Sequence, residues 1–211
     1  MQRQFYSERA DASQEVLHRI AKEADFVLIG GWAVHAYTGL QRSLDIDIAV
    51  GYESIEYFRA YGMQKYEGMN VNYVTIEGIT VDLFIPEFTD VDLPFPVSII
   101  LSNYVKIDNI KVVRKELLLL LKLWGYFGND ETKLNKDIID VVSLLFYGNI
   151  DLKEIKRLIR RYNLERRRTT DVMIEYLDKG SAFADFIIKG NENYKTMASN
   201  AKGKIKAFFN Y

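Results

Sequence analysis

Cysteine is absent from the 211-residue sequence, and histidine and proline are scarce, with two and three copies. Without cysteine the chain can form neither disulfides nor thiolate metal sites, and two histidines do not suffice for a histidine-rich zinc site. Any metal ion is therefore expected to have oxygen ligands. The sequence also lacks the run of about eighteen apolar residues that a membrane helix needs, and its N-terminus has no apolar segment of the signal-peptide type. We expect a cytoplasmic protein without a membrane segment.

Neither sign of charge dominates the chain, whose formal net charge is -1. The two halves nevertheless differ: residues 1–102 hold seven Lys/Arg and fifteen Asp/Glu, and residues 103–211 hold twenty-one and fourteen. The acidic half suits cation binding, and the basic half could face a polyanion. The alternative is that the two lobes of opposite charge merely attract each other.

The most informative stretch is 26–50, FVLIGGWAVHAYTGLQRSLDIDIAV. Its first four residues, Phe26–Ile29, form an apolar run that is too short for a helix and is stopped by Gly30 and Gly31. This pattern predicts a buried strand followed by a tight turn and a short helix.

Two aspartates follow on the next predicted strand, where Asp45 and Asp47 alternate with Ile46 and Ile48. A period of two sends both isoleucines to one face of a strand and both aspartates to the other. Side chains in this arrangement start about 6 to 7 Å apart at the backbone, so two carboxylates can share divalent cations. We predict Mg²⁺, or Mn²⁺ in its place, because hard cations prefer carboxylate oxygens and bind alongside substrate phosphates.

The order Gly30-Gly31, Arg42, Asp45-x-Asp47 resembles the signature of the DNA polymerase beta-like nucleotidyltransferases. In particular, it is similar to the minimal nucleotidyltransferases related to the AbiEii-type toxins of prokaryotic toxin-antitoxin pairs. The resemblance implies a nucleotidyltransferase-type mixed β-sheet in which the two aspartates and a third acid on a later strand bind the metal ions.

Asp82 is the candidate third acid, since it lies among apolar residues in Val81-Asp82-Leu83-Phe84. From the residues alone, it is either an exposed position on a strand with one wet face or a carboxylate brought beside Asp45 and Asp47 by strand pairing. The resemblance favours the second reading, because this family's third acid usually has apolar neighbours. We predict Asp45, Asp47 and Asp82 as catalytic, metal-binding residues.

Gly30, Gly31 and Arg42 are candidate nucleotide-binding residues. A glycine pair before a helix lets the backbone approach a triphosphate and offers N–H groups at the helix N-terminus. Arg42 lies three residues before Asp45, where a guanidinium can neutralise phosphate oxygens. An ordinary surface arginine is the alternative.

Lys122 stands among leucines, where an ammonium group must reach water or an anion. Triphosphate is one such anion, and the alternative is a lysine on the wet stripe of an amphipathic helix. Asp137 and Asp140 are three residues apart on one helix face, so either can pair with Lys122 or bind the nucleotide. The resemblance extends to Lys122 and to the Lys136-Asp137 pair, and it implies that Lys122 and Asp137 bind the nucleotide.

The densest basic cluster lies in the second half and holds six arginines: Arg157, Arg160, Arg161, Arg166, Arg167 and Arg168. Arginines near aromatic residues such as Tyr162 can bind RNA through phosphate contacts and base stacking. The alternative is a solvated helix face and loop. The sequence leaves both open.

Strand patterns come first and helical patterns follow, which predicts an α+β fold. We expect a mixed β-sheet with flanking helices, followed by a C-terminal helical lobe. The predicted boundaries are 1–104 for the nucleotidyltransferase catalytic domain and 105–211 for the mostly helical domain.

Local patterns add further predictions. Glu77-Gly78 and Asp108-Asn109 are typical of hairpin turns, and a helix is expected over 13–24 with Ser13 as its N-cap. Residues 86–104 carry all three prolines and are predicted as a loop or edge segment.

We therefore expect a metal-dependent nucleotidyltransferase that moves a nucleoside monophosphate from a nucleoside triphosphate to a hydroxyl of RNA (including tRNA), a protein or a small molecule. The resemblance raises a role as the toxin of a toxin-antitoxin pair, with an antitoxin protein as partner. The alternative is a nucleotide-binding or toxin-antitoxin interaction protein that keeps the fold without turnover. Three retained acids favour the enzyme, because a protein that only binds has no need of all three.

Overall fold

The computed structural model describes residues 2–67, 71–89, 93–124 and 131–209. The chain divides into two compact units, one of Met1–Ala36 with Arg42–Arg114 and the other of Tyr37–Gln41 with Lys115–Tyr211. The first unit holds the β-sheet, and the second is helical.

The strands found in the described residues are β1 (Phe26–Ile29), β2 (Ile46–Val50), β3 (Gln64–Lys65), β4 (Asn72–Ile76), β5 (Ile79–Phe84), β6 (Tyr104–Ile107) and β7 (Ile110–Val113). The α-helices are α1 (Gln2–Glu23), α2 (Gly30–Thr38), α3 (Ile55–Arg59), α4 (Val97–Ser102), α5 (Lys115–Trp124), α6 (Glu131–Tyr147), α7 (Leu152–Arg161), α8 (Arg166–Lys179), α9 (Ala184–Ile187) and α10 (Tyr194–Phe209). None of the helices in this part of the chain is both long and apolar enough to span a bilayer.

All strands of the described chain belong to one mixed sheet with the order β3-β4-β5-β2-β1-β7-β6. The pairs β2/β5 and β1/β7 are parallel, and the remaining neighbours are antiparallel. A mixed sheet with helices, followed by a helical unit, confirms the predicted α+β class. The β-branched residues of 70–75 predict a strand; β4 begins at Asn72, and residue 70 lies outside the described residues.

One face of the two central strands is apolar. Ile46 and Ile48 of β2 and Val81 and Leu83 of β5 are all 0% exposed. The alternating pattern of β5, with every second residue buried, matches a strand whose two faces differ. The burial of Ile46 and Ile48 confirms the prediction made from the Asp-Ile alternation.

Both predicted hairpins are present. Glu77 and Gly78 have φ angles of 52° and 79°, and Asp108 and Asn109 have 47° and 65°. Two consecutive positive φ angles define the turn whose twist matches antiparallel strands. These turns join β4 to β5 and β6 to β7.

The prediction that 86–104 lacks regular structure was wrong in part, because α4 begins at Val97, directly after Pro96. Proline is tolerated at a helix start, where its missing N–H has no partner to lose. Val97 and Ile100 are three residues apart and both buried, so the helix is held by the apolar face that it packs. Residues 90–92 lie outside the described residues.

The predicted N-cap at Ser13 was also wrong, since α1 begins eleven residues earlier, at Gln2. Ser13 is fully buried, and its Oγ accepts a hydrogen bond of 2.9 Å from Trp32 Nε1. A serine inside a helix is explained here by a tertiary partner. Helical spacing also predicts that Val16, Leu17, Ile20 and Ala24 share one face; the first three are buried, whereas Ala24 is half-buried and follows the helix end at Glu23.

The predicted domain boundary between residues 104 and 105 falls at the start of β6. Strand β7 pairs with β1 through Leu28 and Val112, and β6 pairs with β7, so this hairpin belongs to the sheet. The first unit ends at Arg114, ten residues beyond the predicted boundary.

Ser13→Ala tests the buried hydrogen bond of Trp32. Loss of the acceptor leaves a buried indole N–H without its partner, and we expect a loss of about 1 to 3 kcal/mol in the free energy of unfolding. Urea denaturation measures it. The matched control is Ser98→Ala on an exposed helix position, expected to change stability by less than about 0.5 kcal/mol. Equal effects of the two substitutions would contradict the importance of this hydrogen bond.

Candidate functional site

Asp47 and Asp82 lie side by side in the centre of the sheet. Strands β2 and β5 run parallel with Asp47 opposite Asp82, and on its other side Asp47 is opposite Ile29 of β1. Directly paired residues of neighbouring strands point to the same face, with backbones about 4.8 Å apart. The two carboxylates therefore share the face opposite the buried Ile46 and Leu83.

Asp45 immediately precedes β2, two residues before Asp47. Its Oδ1 accepts a hydrogen bond of 2.5 Å from Ser43 Oγ, and Ser43 itself is buried. The Ser43 hydroxyl thus holds the Asp45 carboxylate in place at the start of the strand.

Tyr66 binds the Asp82 carboxylate. Its hydroxyl donates a hydrogen bond of 2.8 Å to Asp82 Oδ1, and its ring stacks on Tyr73, with 4.3 Å between centroids. Tyr73 lies opposite Asp82 in the β4/β5 pair. Burial raises the pKa of Tyr66 above its ordinary value, and the hydrogen bond to Asp82 and the negative charges of Asp82 and Asp45 raise it further. Tyr66 therefore stays protonated, and remains a hydrogen-bond donor, at neutral pH.

Gly30 provides space for Asp47. It has a φ of +64°, and a Cβ built on it would lie 1.8 Å from Asp47 Oδ2. The room left by its missing side chain is thus filled by the Asp47 carboxylate. Because Gly30 is also the first residue of α2, this carboxylate lies at the N-terminal end of a helix, where negative charge is favoured.

The two residues after Gly30 are packed in the interior. Gly31 is buried in the first turn of α2, and Trp32 is 3% exposed. The ring of His35 contacts the Trp32 ring edge to face, with 5.3 Å between centroids. The glycine turn is therefore fixed to α1 and to its own helix.

Arg42 forms an ion pair with Asp11 of α1, and its Nη2 lies 3.4 Å from Ser7 Oγ. About a third of the side chain is exposed. In this structure the guanidinium ties the segment before Asp45 to α1. Phosphate binding by Arg42 remains a prediction.

Within the described ranges, no three His, Asp or Glu side chains are grouped as ligands for a metal ion. The donor chemistry nevertheless suits a hard cation, because Asp47 and Asp82 are neighbouring oxygen donors and Asp45 is two residues away. Asp82 and Asp45 each accept a hydrogen bond from a hydroxyl. The bond from Tyr66 uses one of the two carboxylate oxygens of Asp82, Oδ1.

Lys122 and Asp137 belong to the helical unit. Lys122 Nζ donates a hydrogen bond of 3.3 Å to Asp137 Oδ1 and makes an ionic contact of 2.8 Å with Asp140 Oδ2. The three side chains are 13%, 5% and 3% exposed. Lys122 is thus a largely buried lysine between two aspartates, and its position excludes the alternative of a wet helix stripe.

Tyr66 and Ser43 are the two site residues that were not predicted. Ser43 stands two residues before Asp45, a spacing at which a hydroxyl can reach the carboxylate. Tyr66 lies sixteen residues before Asp82, and no local pattern links them. Only the β4/β5 pairing places Tyr73, the ring on which Tyr66 stacks, beside Asp82.

No protein-family model matches the chain, and a search of curated proteins finds no significant match. The family resemblance therefore depends on sequence motifs alone: the glycine pair, Arg42, Asp45, Asp47 and Asp82, with Lys122 and Lys136-Asp137 in the helical unit. It remains a hypothesis.

Gly30→Ala tests how closely the glycine turn and Asp47 are fitted. A Cβ collides with the Asp47 carboxylate and the φ angle is unfavourable, so we expect a larger loss of stability than at a glycine with a similar φ and free space around it. Gly62, with a φ of +73° and no atom within 4 Å of a built Cβ, is that control.

Gly62→Ala should cost about 1 to 2 kcal/mol, and Gly30→Ala about 1 to 3 kcal/mol more. Urea denaturation of both variants measures the difference. Equal losses at the two positions would show that Asp47 does not occupy the space over Gly30.

Lys122→Met tests the buried ion cluster. Removing the ammonium takes away the cation that both buried carboxylates contact, and we expect a loss of about 3 to 5 kcal/mol in the free energy of unfolding. The variant Lys122→Met/Asp137→Asn/Asp140→Asn should recover most of it. Lys115→Met, on the same helix but bonded to the carbonyl of Asn149, should cost about 1 kcal/mol. A triple variant no more stable than Lys122→Met would contradict the electrostatic explanation.

Proposed function

We propose that this protein is a metal-dependent nucleotidyltransferase that transfers a nucleoside monophosphate from a nucleoside triphosphate to a hydroxyl acceptor. The observation that supports it best is the register of β2 and β5, which puts Asp47 and Asp82 side by side on one sheet face. Asp45 two residues away and the glycine turn at Asp47 are consistent with it. The proposal includes the nucleotidyltransferase fold itself.

Asp45, Asp47 and Asp82 are the residues proposed to hold Mg²⁺ or Mn²⁺. When bound, such cations neutralise the charge that accumulates on the phosphate oxygens. In the reaction, the acceptor hydroxyl oxygen forms a bond to the α-phosphorus, and the bond from that phosphorus to the bridging oxygen of the β-phosphate breaks. Pyrophosphate leaves, and the hydroxyl proton passes to a base.

Asp82 is the candidate for that base. Tyr66 donates a hydrogen bond of 2.8 Å to Asp82 Oδ1. Tyr66 also limits the directions in which the carboxylate can turn. We therefore assign Tyr66 as a positioning residue for Asp82.

Gly30, Gly31, Arg42, Lys122 and Asp137 are proposed to bind the nucleotide. For Arg42 and Lys122 this requires an exchange of partners, because Arg42 is paired with Asp11 and Lys122 with two aspartates. RNA, including tRNA, is the proposed acceptor among the hydroxyl-bearing classes. A role as a toxin, with an antitoxin protein as partner, is part of the same hypothesis.

A second candidate function is nucleotide or partner binding without turnover. One observation favours it: in the described part of the chain, no three acidic or histidine side chains are grouped closely enough to bind one metal ion. The Tyr66 contact with Asp82 would then be structural. Label transfer separates the two functions.

Asp47→Asn tests the enzymatic proposal. The protein is incubated with α-labelled nucleoside triphosphates, Mg²⁺ or Mn²⁺, and total tRNA, and label in RNA or protein is measured. We expect transfer by the wild type and a loss of about 10²-fold or more in the variant, since one group that stabilises developing charge contributes on this scale. The control Asp185→Asn, at an exposed position, should retain full activity. Nucleotide binding without transfer to any acceptor would support the second candidate function.

A further inference from the structure

We propose that the outer surface of α7, the corner between α7 and α8, and the end of α10 form a binding surface for the phosphate backbone of RNA. This basic surface comprises residues 151–171 and 203–209. The choice of RNA among polyanions rests on the proposed function; the surface itself does not.

Charge is concentrated on this surface. Its two segments hold ten Lys/Arg and four Asp/Glu, a net charge of +6, in a chain whose net charge is -1. The rest of the chain is correspondingly acidic. A polyanion that approaches the protein therefore meets one strongly favourable region.

The cations of α7 form a stripe on its solvent side. Lys153, Arg157, Arg160 and Arg161 are exposed, and their spacing of three or four residues places a cation on each successive turn, about 5.4 Å apart. Regularly spaced positive charge suits the regularly spaced phosphates of a nucleic acid strand.

Contacts between the helices extend the stripe. Lys156 Nζ of α7 lies 5.1 Å from the centroid of the Phe208 ring of α10. Lys204 is four residues before Phe208, so it lies on the same face of α10. Arg166 of α8 donates a hydrogen bond to the carbonyl of Phe209. The three helices thus present their cations together.

Most of these cations are available for an anionic ligand. Six form no ion pair with a carboxylate of any residue that the structure describes: Lys153, Lys156, Arg160, Arg161, Lys204 and Lys206. Arg167 Nε lies 3.9 Å from Asp171 Oδ2 and Arg168 Nη1 lies 3.9 Å from Glu165 Oε2, and the Arg167 side chain is 91% exposed. Arg157 is held by Glu154.

The structure favours a phosphate backbone over a membrane. The apolar face of α7 is already used, since Ile155, Leu158 and Ile159 are buried in the helical unit. No apolar face of this helix is left to enter a bilayer. The rings of Tyr162 and Phe208 already lie against Arg161 and Lys156, which points to phosphate contacts and little sequence preference.

The test measures binding of labelled bulk tRNA to the full chain by fluorescence anisotropy, over about 50 to 200 mM salt. The variant Lys153→Gln/Arg160→Gln/Arg161→Gln removes three cations of the surface. We expect tRNA affinity at low salt to fall about 10- to 100-fold, and the slope of log affinity against log salt to become shallower by about 2 to 3.

The matched control is Lys22→Gln/Lys65→Gln/Lys106→Gln, which removes three exposed lysines of the sheet unit and gives the same net charge. It should keep nearly the wild-type affinity and slope. Urea denaturation of both triple variants checks that they fold. Equal weakening by the two variants, or no tRNA binding at low salt, would overturn the proposal. If an acidic polypeptide displaces tRNA at a concentration of negative charges below that of the tRNA phosphates, the surface would instead be assigned to a protein partner.

Asp47→Asn distinguishes this inference from the proposed function. That variant should bind tRNA like the wild type. If the wild type bound tRNA but transferred no label to any acceptor, the RNA surface would stand and the enzymatic proposal would fail; if the wild type transferred label to a protein but bound no tRNA, the enzymatic proposal would stand and the RNA surface would fail.

Discussion

The candidate site depends on the apolar burial that fixes the register of β2 against β5. Ile46, Ile48, Val81 and Leu83 are all fully buried on one face. A slip of one residue in either strand would turn its aspartate into this core and its apolar residues out, and burying an unpaired carboxylate is strongly unfavourable. The hydrophobic contacts of one face therefore keep Asp47 and Asp82 together on the other.

The parts of the fold that are encoded locally could be predicted from the sequence. Alternation in 45–48 predicted which residues of β2 are buried, and Glu77-Gly78 and Asp108-Asn109 predicted the two hairpins. The pairing of β2 with β5 is a nonlocal property that no single segment contains. The family resemblance suggested that Asp82 lies near Asp47, whereas the periodicity of the sequence did not. For the same reason Tyr66, whose contact with Asp82 depends on a third strand, could not be predicted.

The predictions that failed were based on residue type, at positions where contacts with distant parts of the chain determine the local structure. Ser13 suits an N-cap by type, but it is buried as the acceptor for Trp32. Pro96 suggested irregular structure, yet the helix that follows it has buried apolar residues. Lys122 was expected to need an anion, and the chain supplies two of its own in Asp137 and Asp140. For Lys122 no prediction failed: pairing with Asp137 or Asp140 was one of the alternatives left open by the sequence, and its binding to a nucleotide stays a prediction.

The buried position of Trp32 makes it an intrinsic fluorescence probe of the glycine turn. Its indole directly follows the glycine pair, is 3% exposed, and is hydrogen bonded to α1. Fluorescence from a ring shielded in this way is emitted at shorter wavelength than from a hydrated one. Trp124, the other tryptophan, is half-buried and belongs to the helical unit. With Trp124 replaced by phenylalanine, the emission of the remaining indole would follow water entry at the glycine turn without any attached dye.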